Sequence, residues 1–337
     1  MGIFIDQTGY LPVSRKVATT TFPCNFQLID STTQHAVYDG VSTDSGMDES
    51  AGEQVYQLDF SKVNAPGRYY VLAGNGERSH TFVIGEHVYE QLQLDLMKCF
   101  YFQRCGCALT SEYAGEYTHA ACHTEDAVFL EDYMNQTPDP PHFDMTGGWH
   151  DAGDFGRYIS PAAVAVGHLL YAYELFPESF QASLHIPESG NLLPDILNEC
   201  LYELKWMLKM QADNGGVYHK LTSFVHADFL MPEEDKLPFL IYPVSTMATA
   251  DFAASMALAS RVYDPFDKAF STQALEASRK AFAYMESHPY IGFHNPEGSN
   301  TGEYDDDCDI DERLWASAEL LRTDTAHRDT YLKAFEK

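Results

Sequence analysis

A chain of 337 residues has room for two domains and a sizeable core, and 45% hydrophobic residues mark a globular rather than a disordered composition. The balance of 50 Asp and Glu against 21 Lys and Arg leaves a net charge of −29, which repels phosphate backbones, excludes nucleic acid as a natural partner and suits a neutral substrate. The aromatic surplus, 21 Tyr, 21 Phe and 3 Trp, fits a carbohydrate-binding groove and equally a large core.

The opening Met1-Gly2-Ile3-Phe4-Ile5-Asp6-Gln7 has neither the basic start nor the long apolar stretch of an export signal, and no later stretch reaches the length of a membrane span. A cytoplasmic address is expected for the sequence as written, a secreted one if the N-terminus was trimmed, and no membrane partner in either case. Residues 2 to about 85 read as β. Runs at 2–6, 16–21, 25–29, 54–60, 68–72 and 81–84 are rich in β-branched or aromatic residues. Turn signals stand at Gly9-Tyr10-Leu11-Pro12, Asp39-Gly40, Ala65-Pro66-Gly67 and Gly74-Asn75-Gly76. This spacing predicts a small β-sandwich over 1–86. From residue 87 the apolar period becomes helical. Helices are predicted over 87–104, from Ser160 as N-cap with Pro161 at the first helical position to about 176, and over 194–211, 245–262, 271–287 and 311–322. Between them lie loops at 107–159, 213–244 and 288–310. Loops longer than about 15 residues in a compact domain are usually functional. Helices joined this way predict an α/α toroid over 87–337 with its site on the loop side. No Gly-rich turn joins a strand to a helix, which excludes a dinucleotide-binding reading.

The most informative run is Gly147-Gly148-Trp149-His150-Asp151-Ala152-Gly153-Asp154. Gly147, Gly148 and Gly153 allow backbone angles closed to other residues. Like charges held close in a loop raise each other's proton affinity, and an aromatic face can stack on a pyranose. Asp151, Asp154 and Trp149 together therefore suit water activation beside a sugar ring. Taken alone, the string also reads as an acidic turn or as half of a calcium site.

This run resembles the signature of glycoside hydrolase family 9, the inverting cellulases, in the subgroup that carries an N-terminal immunoglobulin-like module. The resemblance covers essentially the whole chain. Asp6-Gln7-Thr8-Gly9-Tyr10-Leu11-Pro12 and Pro66-Gly67-Arg68-Tyr69-Tyr70 are similar to the module. In the helical part the similar segments are Val217-Tyr218-His219-Lys220, Met231-Pro232-Glu233-Glu234-Asp235, Thr249-Ala250-Asp251-Phe252-Ala253 and Asp311-Glu312-Arg313-Leu314-Trp315-Ala316. The resemblance implies an Ig-like β-sandwich followed by an (α/α)6 barrel, incomplete over this chain. It also implies inverting hydrolysis of β-1,4-glucosidic bonds in cellulose or cellodextrins. Inversion needs its two carboxyl groups roughly 6.5–9.5 Å apart to admit a water, so Asp151 and Asp154 are not expected to fill both roles. By the resemblance Asp154 is the general base. Asp151 shares and orients the water, or merely holds the loop. The family's general acid is a Glu near the end of a longer catalytic domain. No matching segment follows here and Glu336 lacks its context, so the acid is expected outside this sequence. His219 resembles the family's sugar contact near the cleavage point, the alternative being an ordinary surface histidine. Trp149 and Tyr304 are further sugar-contact candidates, whereas Trp206 and Trp315, set in helical patterns, are expected in the core.

The cysteines number seven, an odd count without a regular framework, so reduced thiols are expected, with some available to a metal. Cys105, Cys122, His123 and His150 have the types of a tetrahedral zinc set, although their spacing is not that of a finger. The same types at corresponding places in module-bearing family members resemble a structural zinc site. Zinc there would pin the catalytic loop to the end of the first helix. Cys107 competes with Cys105, and a buried cysteine pair beside two ordinary histidines is the alternative. Oxygen donors concentrate at Asp305-Asp306-Asp307, Asp309 and Asp311-Glu312. Of these, Asp307, Asp311 and Glu312 are selected for calcium, against a solvated acidic loop. Three other functions compete with the β-glucanase: an exo-acting β-glucosidase or β-glucosaminidase of the same family, a non-catalytic carbohydrate-binding fragment, and a hydrolase using zinc directly, which needs an open coordination position.

Overall fold

The computed structural model describes residues 2–336, which divide into one unit ending at Leu96 and a second beginning at Met97. In the first, the strands are β1 (Ile3–Phe4), β2 (Val17–Thr20), β3 (Asn25–Asp30), β4 (Ala36–Val41), β5 (Thr43–Asp48), β6 (Glu53–Asp59), β7 (Gly67–Ala73) and β8 (Phe82–Ile84). They form two antiparallel sheets, ordered β1-β2-β6-β5 and β4-β3-β7-β8. Alternate side chains of β3, β6 and β7 point inward, and Phe26, Leu28, Leu58, Val71 and Ile84 make the core with Phe60 and Phe82. The turn at Gly9-Tyr10 is fixed by Tyr10. Its ring meets Phe60 and Phe82 edge-on at 5.2 Å each, and its hydroxyl accepts from the Asp6 amide and donates to the Val17 carbonyl, both at 2.9 Å.

Two strands, β4 and β5, lie outside the sequence reading. Each is a sheet edge with mostly exposed, polar side chains, so the alternation that reveals a half-buried strand is missing. The expected Asp39-Gly40 turn is instead part of β4. Gly40 serves a packing need there, since a Cβ would stand 2.4 Å from the Phe26 ring.

The second unit is helical. Its elements are α1 (Glu90–Phe102), which begins before the division, α2 (Ser111–Ala114), β9 (Val128–Phe129), α3 (Leu130–Asn135), β10 (Arg157–Tyr158), α4 (Ile159–Leu175), α5 (Asp195–Lys209), β11 (Val217–Tyr218), β12 (Lys220–Thr222), β13 (Leu240–Ile241), β14 (Val244–Ser245), α6 (Thr246–Tyr263), α7 (Lys268–Ser287), α8 (Ile310–Thr323) and α9 (Arg328–Phe335). At its centre stands α6, buried along nearly its whole length and packed against α4, α7 and α8. Its alanines and small hydroxyl side chains allow that close approach. Trp206 is fully buried, and Trp315 packs partly buried on α4, where a Cβ at Gly167 would come within 3.0 Å of its ring.

Ser160 does not cap α4. Strand β10 runs straight into the helix, whose first residue, Ile159, donates to the His219 carbonyl at 3.2 Å, so Ser160 already lies in the first turn. Helix α7 begins three residues before the expected 271, capped by Asp267, which accepts from the Phe270 amide at 3.0 Å. The long loops are not structureless. They contribute a small sheet ordered β10-β12-β13-β9 and the pair β11–β14. Among the described residues no helix is long and apolar enough to cross a membrane.

Candidate active site and metal centre

Backbone bonds zip the Gly147–Asp154 run to the end of α1. The His150 amide donates to the Gln103 carbonyl at 2.7 Å and the Cys105 amide to the Gly148 carbonyl at 2.8 Å. Gly147 and Gly148 take positive φ, 105° and 79°, and a Cβ at Gly148 would strike the Trp206 ring at 2.8 Å. Gly153, expected to need the same freedom, does not take positive φ and faces open space. From inside, the fully buried Arg157 donates to the Met145 and Gly147 carbonyls at 2.7 and 2.6 Å. Trp149 is 7% exposed. Its indole nitrogen donates to Glu199 at 2.9 Å, its amide donates to Glu203 at 2.5 Å, and its ring packs on Phe100. Burial pushes the Glu203 carboxyl up to about 8.

Beyond this frame the chain turns at Asp151, whose amide donates to the Gly156 carbonyl at 3.0 Å, and the two aspartates take different partners. Asp154 Oδ2 accepts from the Tyr158 hydroxyl at 2.9 Å and the Gly156 amide at 3.1 Å. A Cβ at position 156 would lie 2.7 Å from that oxygen and closer still to the Tyr158 hydroxyl, so a larger residue there would displace the pair that anchors Asp154. The Asp154 side chain keeps 20% of its surface exposed. With Gly153, Phe155, His226, Ala227 and Asp228 it lines a cavity of about 250 Å³, and His226 Nδ1 stands 3.9 Å from it. Asp151 accepts from the Tyr304 hydroxyl and lines a different cavity, of about 210 Å³, with Trp149, Tyr158 and Phe100. Burial raises the Asp151 carboxyl, Tyr304 counters this, and the Asp154 charge adds to it. Tyr304 adopts a left-handed backbone, φ 47°, and its ring meets Tyr158 at 4.8 Å.

His219 is not a surface histidine. It is 2% exposed, stacks on Phe293 at 4.1 Å, and commits both ring nitrogens, Nδ1 to Ser245 Oγ at 2.9 Å and Nε2 to the Glu303 carbonyl at 2.8 Å. Burial lowers it to about 4, so it is neutral at pH 7. Beside it, Lys220 is fully buried and donates to Asn295 Oδ1, Thr301 Oγ1 and the Gly302 carbonyl at 2.6, 3.1 and 2.7 Å. It thereby ties β12 to the segment that carries Tyr304. Tyr158, Lys220 and His226 were missed as site residues in the sequence, although Lys220 lies inside one of the family-like segments.

Cys105, Cys122, His123 and His150 converge. All four are buried and offer ligand atoms within 4.8 Å of one another. Cys105 Sγ is 3.5 Å from His123 Nδ1, and Cys122 Sγ is 3.9 Å from His150 Nε2. A tetrahedral ion with bonds of about 2.3 Å to sulfur and 2.0–2.1 Å to nitrogen spans roughly 3.6 Å between such donors, so the residues fit. The neighbouring Cys105 holds the Cys122 thiol well below its usual range against the opposing effect of burial, while burial pushes the Cys105 thiol up. Cys107 stays outside the cluster, and all seven cysteines are free thiols.

The expected calcium set does not gather in this way. Among the described residues, Asp307, Asp311 and Glu312 do not form a group whose oxygens all lie within 4.8 Å of one another, although Asp311 and Glu312 interact directly. Asp311 and Glu312 belong to the first turn of α8, while Asp307 sits in the exposed loop before Asp309, which is engaged by Arg313. Glu312 Oε2 is nevertheless buried without a partner among the described residues. Burial, Asp311 and Asp306 push its carboxyl up to about 7. Asp305 belongs to another, more exposed group with His294 and Glu303.

A family model described as glycosyl hydrolase family 9 matches residues 89–337, and one described as a cellulase N-terminal ig-like domain matches 1–79. The chain belongs to glycosyl hydrolase family 9. A cellodextrinase of Butyrivibrio fibrisolvens is 42% identical over 325 residues, covering 94% of this chain and 58% of that protein. Endoglucanase D of Acetivibrio thermocellus is 36% identical over 338 residues, covering 99% and 53%. The solved structure of AaCel9A in complex with a cellobiose-like isofagomine matches with a TM-score of 0.90 at 35% identity, covering 100% of this chain and 61% of that one. The chain thus spans little more than half the length of these relatives.

Proposed function

We propose that these residues carry the base side of an inverting hydrolysis of β-1,4-glucosidic bonds in β-glucan or cello-oligosaccharides. The observation that carries the reading is Asp154, a carboxylate anchored by Tyr158 and Gly156 on one oxygen yet open to a cavity large enough for water. In this reading Asp154 takes a proton from a water that attacks the anomeric carbon, while Asp151, held by Tyr304, fixes the loop that carries the base. The proton donor for the leaving oxygen we assign to the part of a family 9 protein that this chain does not span. The substrate class is supported by the relatives named as a cellodextrinase and an endoglucanase, and by the cellobiose-like ligand of the solved neighbour.

The test is cellopentaose hydrolysis by the full reading frame containing this sequence, with and without Asp154→Asn. We expect the variant to lose about 10²–10⁴-fold in rate with an unchanged circular dichroism spectrum, and the parent to release the inverted anomer first. Comparable turnover in both proteins removes Asp154 from the role. Binding of cellopentaose with no hydrolysis by the parent favours the non-catalytic, carbohydrate-binding reading.

We also propose zinc at Cys105, Cys122, His123 and His150. It would supply a structural cross-link between the end of α1 and the loop of Asp151 and Asp154, and it is supported by the donor set and its spacing. For calcium the support is narrower. The unpartnered Glu312 Oε2, beside Asp311, is the kind of oxygen a hard cation would satisfy.

A further inference from the structure

We infer that Asp235 orients His123 as a metal ligand and thereby ties the metal centre to the segment that walls the Asp154 cavity; the inference rests on the zinc reading proposed above. The two side chains are each 2% exposed, and His123 Nε2 lies 3.3 Å from Asp235 Oδ2. A carboxylate at that distance keeps the imidazole proton on Nε2 and leaves the Nδ1 lone pair free. Nδ1 is the atom that faces Cys105 Sγ at 3.5 Å. Phe239 and Phe155 pack on the ring at 4.7 and 5.2 Å, so it has little room to turn. The other Asp235 oxygen, Oδ1, accepts from the Leu237 amide at 2.9 Å. One carboxylate therefore serves two masters, the ring of a metal ligand and the backbone of its own segment.

That segment matters because of its other end. His226, Ala227 and Asp228 form the wall opposite Asp154, and the chain then runs through Asp235 to Phe239 and into β13, which is paired on both sides with β12 and β9. Between the Asp154 wall and β13, Asp235 is a buried polar anchor, and its partner is a residue of the metal cluster. Loading the metal therefore fixes the base's cavity wall as well as the base's loop.

The substitution Asp235→Asn isolates the claim. The Leu237 amide still needs an oxygen acceptor, which leaves the Asn NH₂ facing His123 Nε2. The imidazole must then accept there, carry its proton on Nδ1, and lose its free ligand atom. On the full chain, zinc affinity measured by competition with a chromophoric chelator should fall about 10–100-fold in Asp235→Asn. It should be unchanged in Asp228→Asn, which removes a carboxylate from the same segment away from the cluster. Hydrogen exchange over 226–239 should slow when zinc is added to the parent and not when it is added to Asp235→Asn. A measurement on the parent alone stands if the variant fails to fold: in the zinc-loaded protein, nitrogen-15 spectra should show His123 bonded through Nδ1 and protonated on Nε2. Equal zinc affinity in Asp235→Asn and parent, exchange insensitive to zinc, or ligation through Nε2 each overturns the inference. A parent that binds no zinc overturns the zinc reading itself, and that result needs no variant.

Discussion

Tyr158 and Tyr304 each hold one of the two loop aspartates, and their rings pack on each other. Tyr158 also accepts the Gly302 amide at 3.2 Å, so its hydroxyl couples Asp154 to the segment leading to Tyr304. Tyr158→Phe removes one hydrogen bond to a carboxylate, worth about 1.5–3 kcal/mol, and the catalytic rate of the full protein on cellopentaose should fall about 10–100-fold with little change in KM. A second residue-scale prediction concerns Asp251 in α6. Burial pushes its carboxyl up to about 8, with Glu312 and Asp311 adding to the rise. A carboxyl raised on folding favours the folded state fully below its unfolded value near 4 and loses that contribution as pH rises towards 8. Asp251→Asn removes this loss. Urea midpoints should therefore favour the variant over the parent by a margin that is small at pH 5 and widens up to pH 8; a margin constant with pH refutes the assignment.

At the scale of elements, the helical unit depends on how closely α6 and its neighbours approach. Gly167 lets α4 receive the Trp315 indole, whose nitrogen donates to the Tyr171 hydroxyl at 2.9 Å. Gly167→Ala would gain helix propensity, but its Cβ would press on the indole at 3.0 Å. Overpacking of this kind costs about 1–3 kcal/mol, so chemical denaturation should show a net loss despite the better helix former. Helix α8 joins two further helices through charge. Glu319 on α8 accepts from Arg261 of α6 at 2.8 Å and from the Tyr171 hydroxyl of α4 at 2.6 Å, so one buried carboxylate serves both.

For the whole molecule, the sandwich and the helical unit have separate cores, and all four proposed zinc ligands lie beyond Met97. Chelation should lower the melting transition of the helical unit and leave that of the sandwich in place. If zinc is present at about 100 times its dissociation constant it contributes roughly 2.7 kcal/mol, which corresponds to about 5–10 °C for a unit of this size. Calorimetry with and without a chelator measures this directly. A shift confined to the sandwich transition would place the metal elsewhere.

Local chemistry made much of this protein legible in its sequence. Gly147 and Gly148 announced a strained turn because only glycine tolerates their backbone angles, and the types of Cys105, Cys122, His123 and His150 announced a cluster of possible metal donors. Period changes separated sandwich from helices because burial on one face imposes a repeat of two or of 3.6. The tertiary structure alone decided which side chains meet. It showed that His219 is buried and neutral, that Asp151 and Asp154 open onto different cavities, that Asp307 stands apart from Asp311 and Glu312, and that Tyr158, Lys220 and Asp235 reach partners far along the chain. The reason is physical. Conformational preference is a property of neighbouring residues, whereas desolvation, hydrogen-bond partnership and proton affinity are set by whatever the folded chain brings within a few ångströms.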